Sequence, residues 1–595
     1  MEALILLLVI LVFGFYSFPL YSYFAFIAVY SLAFCDVGFI FWTIYLIAAL
    51  VLLIQSFRIK FITSKIVNFI NKNDLLPKIS ATEEAALQAG TNWVEANFFK
   101  AQVNFKEIQA EKVTILTPEE QAFLDNEVNE LCEKTTDWEI FQNRDFRPDV
   151  WQFIKDKKFF GMIIPKEYGG LGFSATAHSR VIEKLVSRSQ VLAITIMVPN
   201  SLGPAELIIK HGTQNQKDKY LSDLAHGIQV PCFGLTEPNA GSDATSITSN
   251  GVIFKDETGE LKIKLNFEKR YITLGNIATL VGLAFVLKDP EHLLGDEEDL
   301  GITFAVIDAS TSGLDNSRRH DPLGIPFINS PLYGKDVIID MENIIGETGG
   351  IGKGWQMLVE SLSIGRGISL PSVSLGGTKL ALNVTASYCQ LREQFGLSIN
   401  YFEGVEEKIA KIAAFSYMLN SARNYTLDAI DDGVKPGVIN SIMKYHATEK
   451  FRTVINDAMD VLGGSAIIRG ENNLLAHAYF ALPISITVEG ANILTRNLMQ
   501  FGQGLIKSHP YIYKQINALN NNNVEAFDKE FFAHVGLVFT AFSKSLAYYF
   551  TRAVINCQKG EFKRYKEKLT WVSCEFTFLT NVALGILGPS LKKRE

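Results

Sequence analysis

The chain has 595 residues, is 48% hydrophobic and carries a formal net charge of -7. That length is too great for one hydrophobic core and implies several domains, the apolar content excludes a disordered chain, and the mildly acidic balance shows no basic nucleic-acid footprint. The six cysteines (Cys35, Cys132, Cys232, Cys389, Cys557 and Cys574) are scattered, with no CxxC pair and no histidine at ligand spacing, so a reducing compartment is expected and a metal site is not.

Between Glu2 and Arg58 the only Asp, Glu, Lys or Arg is Asp36. The run Ala3–Cys35 has Pro19 and Tyr21 near its middle, and Val37–Phe57 alone matches the roughly 20 residues that cross a bilayer. Residues 1–60 are expected to form a transmembrane region of two or three spans. A cleaved signal peptide is the competing reading, disfavoured by the apolar length and by the lack of a basic start. Arg58, Lys60, Lys65, Lys72 and Lys78 follow, and such clusters favour the cytoplasmic side. Trp42, Tyr21 and Tyr23 are candidates for the interfacial belt.

Residues 61–116 read as a tether with short helices, interrupted by Glu83, Glu84 and Lys100. Thr117-Pro118-Glu119-Glu120 is a helix start, with a capping Thr, Pro at the first turn and acids after it. Helices are expected across 117–230, including Ala205–Lys210 and Gln216–His226 around the turn His211-Gly212-Thr213. Over 231–347 the period changes to strands, as in Leu261–Leu265, Thr279–Leu287 and Ile302–Ile307. Over 348–508 long helical patterns return in Trp355–Leu362, Leu370–Leu391, Glu406–Asp432 and Lys444–Val461, predicting an antiparallel bundle. The fold class is α+β.

The segment Cys232-Phe233-Gly234-Leu235-Thr236-Glu237-Pro238-Asn239-Ala240-Gly241-Ser242-Asp243 combines permissive glycine with small hydroxyl donors, a loop able to cradle a ring or a phosphate. Its Leu-Thr-Glu-x-x-x-Gly-Ser-Asp core resembles the first signature of the acyl-CoA dehydrogenase family. The resemblance implies a helical domain, a β-barrel-like middle domain and a C-terminal helical bundle, with FAD as cofactor. Phe233, Leu235 and Thr236 would line the flavin, Thr236 bonding its ring, and Ser242 would reach the pyrophosphate. Lys269-Arg270-Tyr271-Ile272-Thr273 is similar to a second family strand, which places Tyr271 near the flavin, Ile272 beside it and Thr273 at the N5 edge. Arg392-Glu393-Gln394-Phe395-Gly396 looks like the family's Arg-x-x-Phe-Gly turn, so Arg392, Gln394 and Phe395 would contact the FAD of a neighbouring subunit, an arginine fork suiting a pyrophosphate. Gly463-Gly464 resembles the pair that approaches the same pyrophosphate, a partial match with Asp460 where the family more often has Gln. At least a dimer is implied.

In Ile486-Thr487-Val488-Glu489-Gly490-Ala491-Asn492 a lone carboxylate sits among apolar neighbours, and desolvation makes it a stronger base once ionised. By the resemblance Glu489 is the catalytic base. The alternative place for a base, in Leu362-Ser363-Ile364-Gly365-Arg366, is filled by Gly365 and cannot serve. Ala491 replaces the usual Thr, so one hydrogen bond toward the neighbouring FAD is either absent or supplied by Asn492. The implied reaction is α,β-dehydrogenation of a fatty acyl-CoA, with electron-transfer flavoprotein as acceptor; an acyl-CoA oxidase and an inactive acyl-CoA-binding remnant are the alternatives.

Val198-Pro199-Asn200-Ser201-Leu202-Gly203-Pro204, Gln500-Phe501-Gly502-Gln503-Gly504 and the apolar start resemble the membrane-associated bacterial FadE type. This implies the inner (cytoplasmic) membrane, with the catalytic part facing the cytoplasm. Members of that branch continue further, so 509–595 reads as the interrupted start of a C-terminal helical extension, short of some packing partners.

Overall fold

The computed structural model describes residues 2–73, 84, 90–201, 203–497, 504–588 and 590. Lys78, Leu202 and residues 500–503 of the segments named above lie outside the described residues. Two compact units are present, one of Met1–Glu83, Asn92–Glu111 and Asn497–Glu595, the other of Glu84–Thr91 and Lys112–Arg496.

In the first unit the two or three spans expected within 1–60 are not shown as unbroken helices, although Phe39–Leu53 and Gln55–Lys72 are together long and apolar enough for a broken span or a re-entrant loop. Helices Glu2–Phe15, Leu20–Phe34 and Phe39–Leu53 contain 14, 15 and 15 residues, each about 22 Å long and short of a hydrocarbon core of about 30 Å. The run Val37–Phe57 is broken: Phe39–Leu53 and Gln55–Lys72 meet at 94°. Two contacts of Arg58 accompany the break. Ile54 is extended, and Arg58 donates back to the Leu52 carbonyl at 2.9 Å while its other nitrogens pair with the buried Asp528 at 2.5 and 3.0 Å. Thr63 also donates to Asp528, at 2.5 Å. Among the described residues Lys563–Leu587 is the one unbroken helix long and apolar enough to cross a membrane.

The C-terminal helices are packed in part and, as expected, short of some partners: Phe550, Val572, Leu579 and Ile586 are exposed. Val524–Thr551 and Lys563–Leu587 bury Ala541 and Cys574 completely in a shared core. Thr577 donates to the Phe98 carbonyl at 2.9 Å and accepts from the Ala101 amide at 3.3 Å, tying the second helix to the 3₁₀ turn Val94–Phe99.

The second unit begins as expected, with Thr117 and Glu120 forming a reciprocal capping box. Its helices include α1 (Pro204–His211), the long α2 (Gly354–Leu391), α3 (Glu403–Asp431), α4 (Gly437–Leu462) and α5 (Ala476–Thr487). The two patterns predicted at 355–362 and 370–391 are one continuous helix, with Pro371 inside it.

Between α1 and α2 lies a seven-stranded sheet: β1 (Pro231–Gly234), β2 (Asn250–Lys255), β3 (Leu261–Thr273), β4 (Leu280–Lys288), β5 (Asp299–Asp308), β6 (Leu314–Asp315) and β7 (Asn329–Asp340). Strand β4 pairs with β5 along one edge. On its other edge β1 runs parallel to Leu280–Leu283 and β2 parallel to Val286–Lys288. The chain leaves the sheet between them, and that departure is the Ser- and Thr-rich loop 235–249. Strand β3 pairs with β2 and β7, with a register shift between Lys269 and Ile272, a bulge that re-aims the intervening side chains.

The two strand motifs hold one another through a buried ion pair. Lys269 Nζ reaches Glu237 Oε1 at 2.6 Å and the Leu235 carbonyl at 3.1 Å, and Glu237 also accepts from the Thr248 and Ser249 amides at 2.6 and 3.1 Å. Burial alone would raise the Glu237 pKa, but Lys269 and these donors outweigh it and hold it down to about 2. Lys269→Met strands a buried carboxylate and is expected to cost about 3–5 kcal/mol in denaturant unfolding. The double variant Glu237→Leu with Lys269→Met should recover part of that loss; no loss in the single variant would show that the pair does not hold the loop.

Candidate active site

Helix α5 ends at Thr487, Val488 is extended, and Glu489 then adopts a left-handed conformation, φ +55°, followed by Gly490 at φ +93°. A glutamate in that region is strained by roughly 1 kcal/mol or more and persists only where its surroundings fix it. Two cations do so, Lys444 fully buried and Arg366 half-buried. Arg366 of α2 donates to the Glu489 carbonyl at 2.7 Å. Lys444 of α4 donates to the carbonyls of Ile486 and Gly490 at 3.0 and 2.8 Å and to Asn492 Oδ1 at 2.7 Å.

The Glu489 side chain turns inward. A Cβ on Gly365 would lie 3.1 Å from its Oε2 and 3.2 Å from its Oε1, so the missing side chain at the alternative base position is the space the carboxylate uses. Part of the Glu489 surface is accessible, yet Oε2 is buried and has no hydrogen-bond partner among the described residues. Burial raises its pKa to about 7, against the lowering effects of Arg366 and Lys444, and Glu206 adds a further raising effect.

Asn492 cannot serve a neighbouring cofactor. It is buried, and its amide donates to Thr448 Oγ1 at 2.9 Å and Glu449 Oε1 at 2.7 Å while its oxygen accepts from Lys444. All of this braces the turn from within the chain. Lys444, Glu449 and Glu206 escaped the sequence reading because a charged residue inside a helical pattern looks like a solvated face; no local pattern marks them, although Arg366 lay in a segment already singled out.

The loop and strand residues divide by exposure. Phe233 is buried edge-on against Phe304 at 5.3 Å and Ile272 is buried in the sheet core, so their side chains pack and only their backbone is free to meet a cofactor. Leu235, Thr236 and Thr273 are half-buried and Ser242 is exposed. Tyr271, at φ +65° on the bulge, leaves its ring 63% exposed. The Tyr271 ring is met by His320 at 5.7 Å and by the Arg270 guanidinium at 5.8 Å, and an aromatic ring with nearby loop hydroxyls is chemistry that a flavin could use.

The remaining predicted residues lie far from this centre. Arg392 follows the end of α2, Gln394 pairs with Leu397 in a short hairpin, and Phe395 is 94% exposed at its tip. Gly463 and Gly464 are exposed beyond the end of α4. At helical rise, Arg392 is roughly 39 Å from Arg366 and Gly463 roughly 28 Å from Lys444. These residues do not converge on Glu489 in one chain.

Comparison with known proteins gives the class, a flavin-dependent acyl-CoA oxidoreductase. Residues 117–228, 232–337 and 352–502 match the N-terminal, middle and C-terminal domains of acyl-CoA dehydrogenase. Residues 506–595 match "Acyl-CoA dehydrogenase, C-terminal, bacterial type". The chain is 30% identical over 336 residues to a 3-(aryl)acrylate reductase of Clostridium sporogenes, covering 56% of this chain and 84% of that protein. It is 26% identical over 497 residues to the mouse mitochondrial very long-chain specific acyl-CoA dehydrogenase, covering 80% and 70%. The butyryl-CoA dehydrogenase structure from Megasphaera elsdenii superposes with a TM-score of 0.59 at 24% identity, over 66% of this chain and all of that one. The chain belongs to the acyl-CoA dehydrogenase family. It is an FAD-dependent oxidoreductase that dehydrogenates acyl-CoA.

The raised Glu489 pKa has a stability consequence with a definite sign. The folded site keeps its proton up to about pH 7, whereas the unfolded chain releases it near 4.3, so stability falls as pH rises through that window. Glu489→Gln removes the penalty, and its thermal unfolding should exceed the parent's at pH 8 by the equivalent of on the order of 3 kcal/mol. At pH 4 the two should coincide; equal stability at both values would mean that the carboxylate is solvated.

Proposed function

We propose that Glu489 is the base that removes the Cα proton of a medium- to long-chain fatty acyl-CoA, giving the trans-2-enoyl-CoA in the first step of fatty acid β-oxidation. The observation that carries this reading is the buried, partnerless Oε2 of Glu489 in the space left by Gly365. FAD, when bound, supplies the hydride acceptor. The desolvated carboxylate is a strong base near neutral pH. Arg366 and Lys444, by gripping the backbone on either side, keep it from rotating away, and their charges let it ionise without water. Leu235, Thr236, Ser242, Tyr271 and Thr273, with the backbone at Phe233 and Ile272, form the flavin site. Arg392, Gln394, Phe395, Gly463 and Gly464 serve the FAD of a second copy, which their distance from Glu489 supports, so the working form is at least a dimer. Electron-transfer flavoprotein is the acceptor.

The FadE type of the family and its place on the cytoplasmic face of the bacterial inner membrane complete the reading. The exposed apolar residues Phe39, Ile40 and Ile44, and Lys60, Lys65 and Lys72 beyond the bend, suit an apolar phase edged by anionic headgroups. The protein should sediment with membranes and resist an alkaline salt wash; recovery in the wash would place it outside the bilayer.

The purified protein should be yellow and bleach anaerobically with palmitoyl-CoA. Glu489→Gln is expected to retain flavin and to bleach at least about a thousandfold more slowly; unchanged bleaching would remove Glu489 from the chemistry. Reoxidation of the bleached protein should be fast with electron-transfer flavoprotein and slow with air. The reverse order would make it an oxidase.

A further inference from the structure

Helix α5, which ends at the Glu489 turn, is entered through a loop, 463–475, that starts with the glycine pair. Gly463 stands at φ +58° and ψ -132°, a conformation that glycine alone adopts freely. Gly464 differs: among the described residues no atom beyond its local backbone lies within 4 Å of where its Cβ would stand. The space over that bare backbone is open to another molecule. The outer side of the loop is uncovered as well, with Ile467 and Ile468 69% and 72% exposed and Ala466 the one buried residue of 464–468.

Polar bonds hold the inner side. Asn473 is buried and uses its whole hydrogen-bonding capacity. Its amide donates to the carbonyls of Ala466 and Ile468 at 2.7 and 3.0 Å, and its oxygen accepts from the amides of Leu475 and Ala476 at 3.1 and 2.9 Å. One side chain thus ties the residues after the glycine pair to the start of α5. A second anchor lies alongside. The Arg469 guanidinium stands 3.6 Å from the centre of the Phe141 ring, and His477, in the first turn of α5, stacks parallel to that ring at 4.7 Å. Phe141 belongs to the helix Asp137–Asn143, whose Asp137 carboxylate is 3.5 Å from His477 Nδ1. Loop and helix are clamped together on one ring of the helical domain.

We propose that Asn473 is a positioning residue for the FAD of the second copy: it holds the backbone of the glycine pair in the shape that meets the pyrophosphate, with the Arg469–Phe141 stack as its second anchor. The inference rests on the reading of Gly463 and Gly464 as serving that cofactor. A backbone that receives a phosphate has to be ordered beforehand, or the ordering is taken from the binding free energy. Gly463, Gly464 and Gly470 lose more conformational freedom on being fixed than any other residue type would, and the exposed isoleucines do not hold them. The two bonds donated by Asn473 do, from behind the surface that the phosphate would meet.

The test is a titration of full-length apoprotein with FAD, followed by quenching of flavin fluorescence, beside thermal unfolding of the same apoprotein. Asn473→Ala should weaken FAD binding roughly tenfold while the apoprotein melts within about 4 °C of the parent. Asn473→Asp keeps an acceptor for the start of α5 and loses the donors to Ala466 and Ile468, so it should weaken FAD as much as Asn473→Ala does. Phe141→Leu leaves every charge of the loop in place and should weaken FAD roughly threefold; it carries the test should neither Asn473 variant accumulate as a folded protein. Parent affinity in the folded variants would overturn the positioning role and leave the clamp as packing. Failure of the underlying reading is distinguishable through Gly464→Val, which puts a side chain into the open space. If that variant also binds FAD with the parent affinity, the glycine pair meets no cofactor; if it alone weakens binding, only the role of Asn473 falls.

Discussion

The site depends on one strained turn clasped by two cations. Glu489 must be left-handed for its carboxylate to point back at Gly365, and a glutamate does not hold that conformation unaided. Lys444 and Arg366 grip the carbonyl oxygens of Ile486, Glu489 and Gly490, so their charges do two things: they fix the backbone, and they favour the ionised carboxylate. Neither cation forms a salt bridge with Glu489. A direct ion pair would lower the pKa further and weaken the base; spending the cations on carbonyls leaves the carboxylate desolvated and free to take a proton.

The same division of labour operates in the sheet. Glu237 and Lys269 belong to the two segments whose resemblance pointed to a flavin, yet neither is free to touch one: each is consumed by the other and by the backbone of loop 235–249. Their pairing lets the chain leave the edge of β4 between β1 and β2 and return in register. The neighbouring residues Thr236, Tyr271 and Thr273 remain available because those two are not.

What could be read in the sequence follows from whether the cause is local. Glu489-Gly490, the capping Thr117 and the strand runs carry their reason within a few residues, and all are found where the pattern put them. The space at Gly365 was legible as an absence. Lys444 and Glu449 were not, since the groups they hold, the turn at 486–490 and Asn492, lie far along the chain, and Glu206 pairs with Lys210 in what reads as ordinary amphipathic helix. The bend in the apolar start was illegible for a related reason: hydropathy measures length, but the 94° break after Leu53 accompanies Arg58 meeting Asp528, 470 positions away. Asn492 was assigned outward because its neighbours faced a cofactor in the family pattern; a lysine two helices earlier claims it.

Helices α2 and α4 run far longer than the base requires. Each bears a cation of the Glu489 turn near one end, Arg366 and Lys444, and reaches exposed elements beyond the other, the Arg392 hairpin and Gly463-Gly464, roughly 39 and 28 Å away. A monomer has no use for Phe395 standing almost fully in solvent or for Ile467 and Ile468 uncovered beside the glycine pair. In the proposed oligomer the same two rods that brace one chain's base deliver the phosphate-binding ends to the next chain's cofactor, so the rigidity that holds the strained turn would also fix the spacing between two active sites.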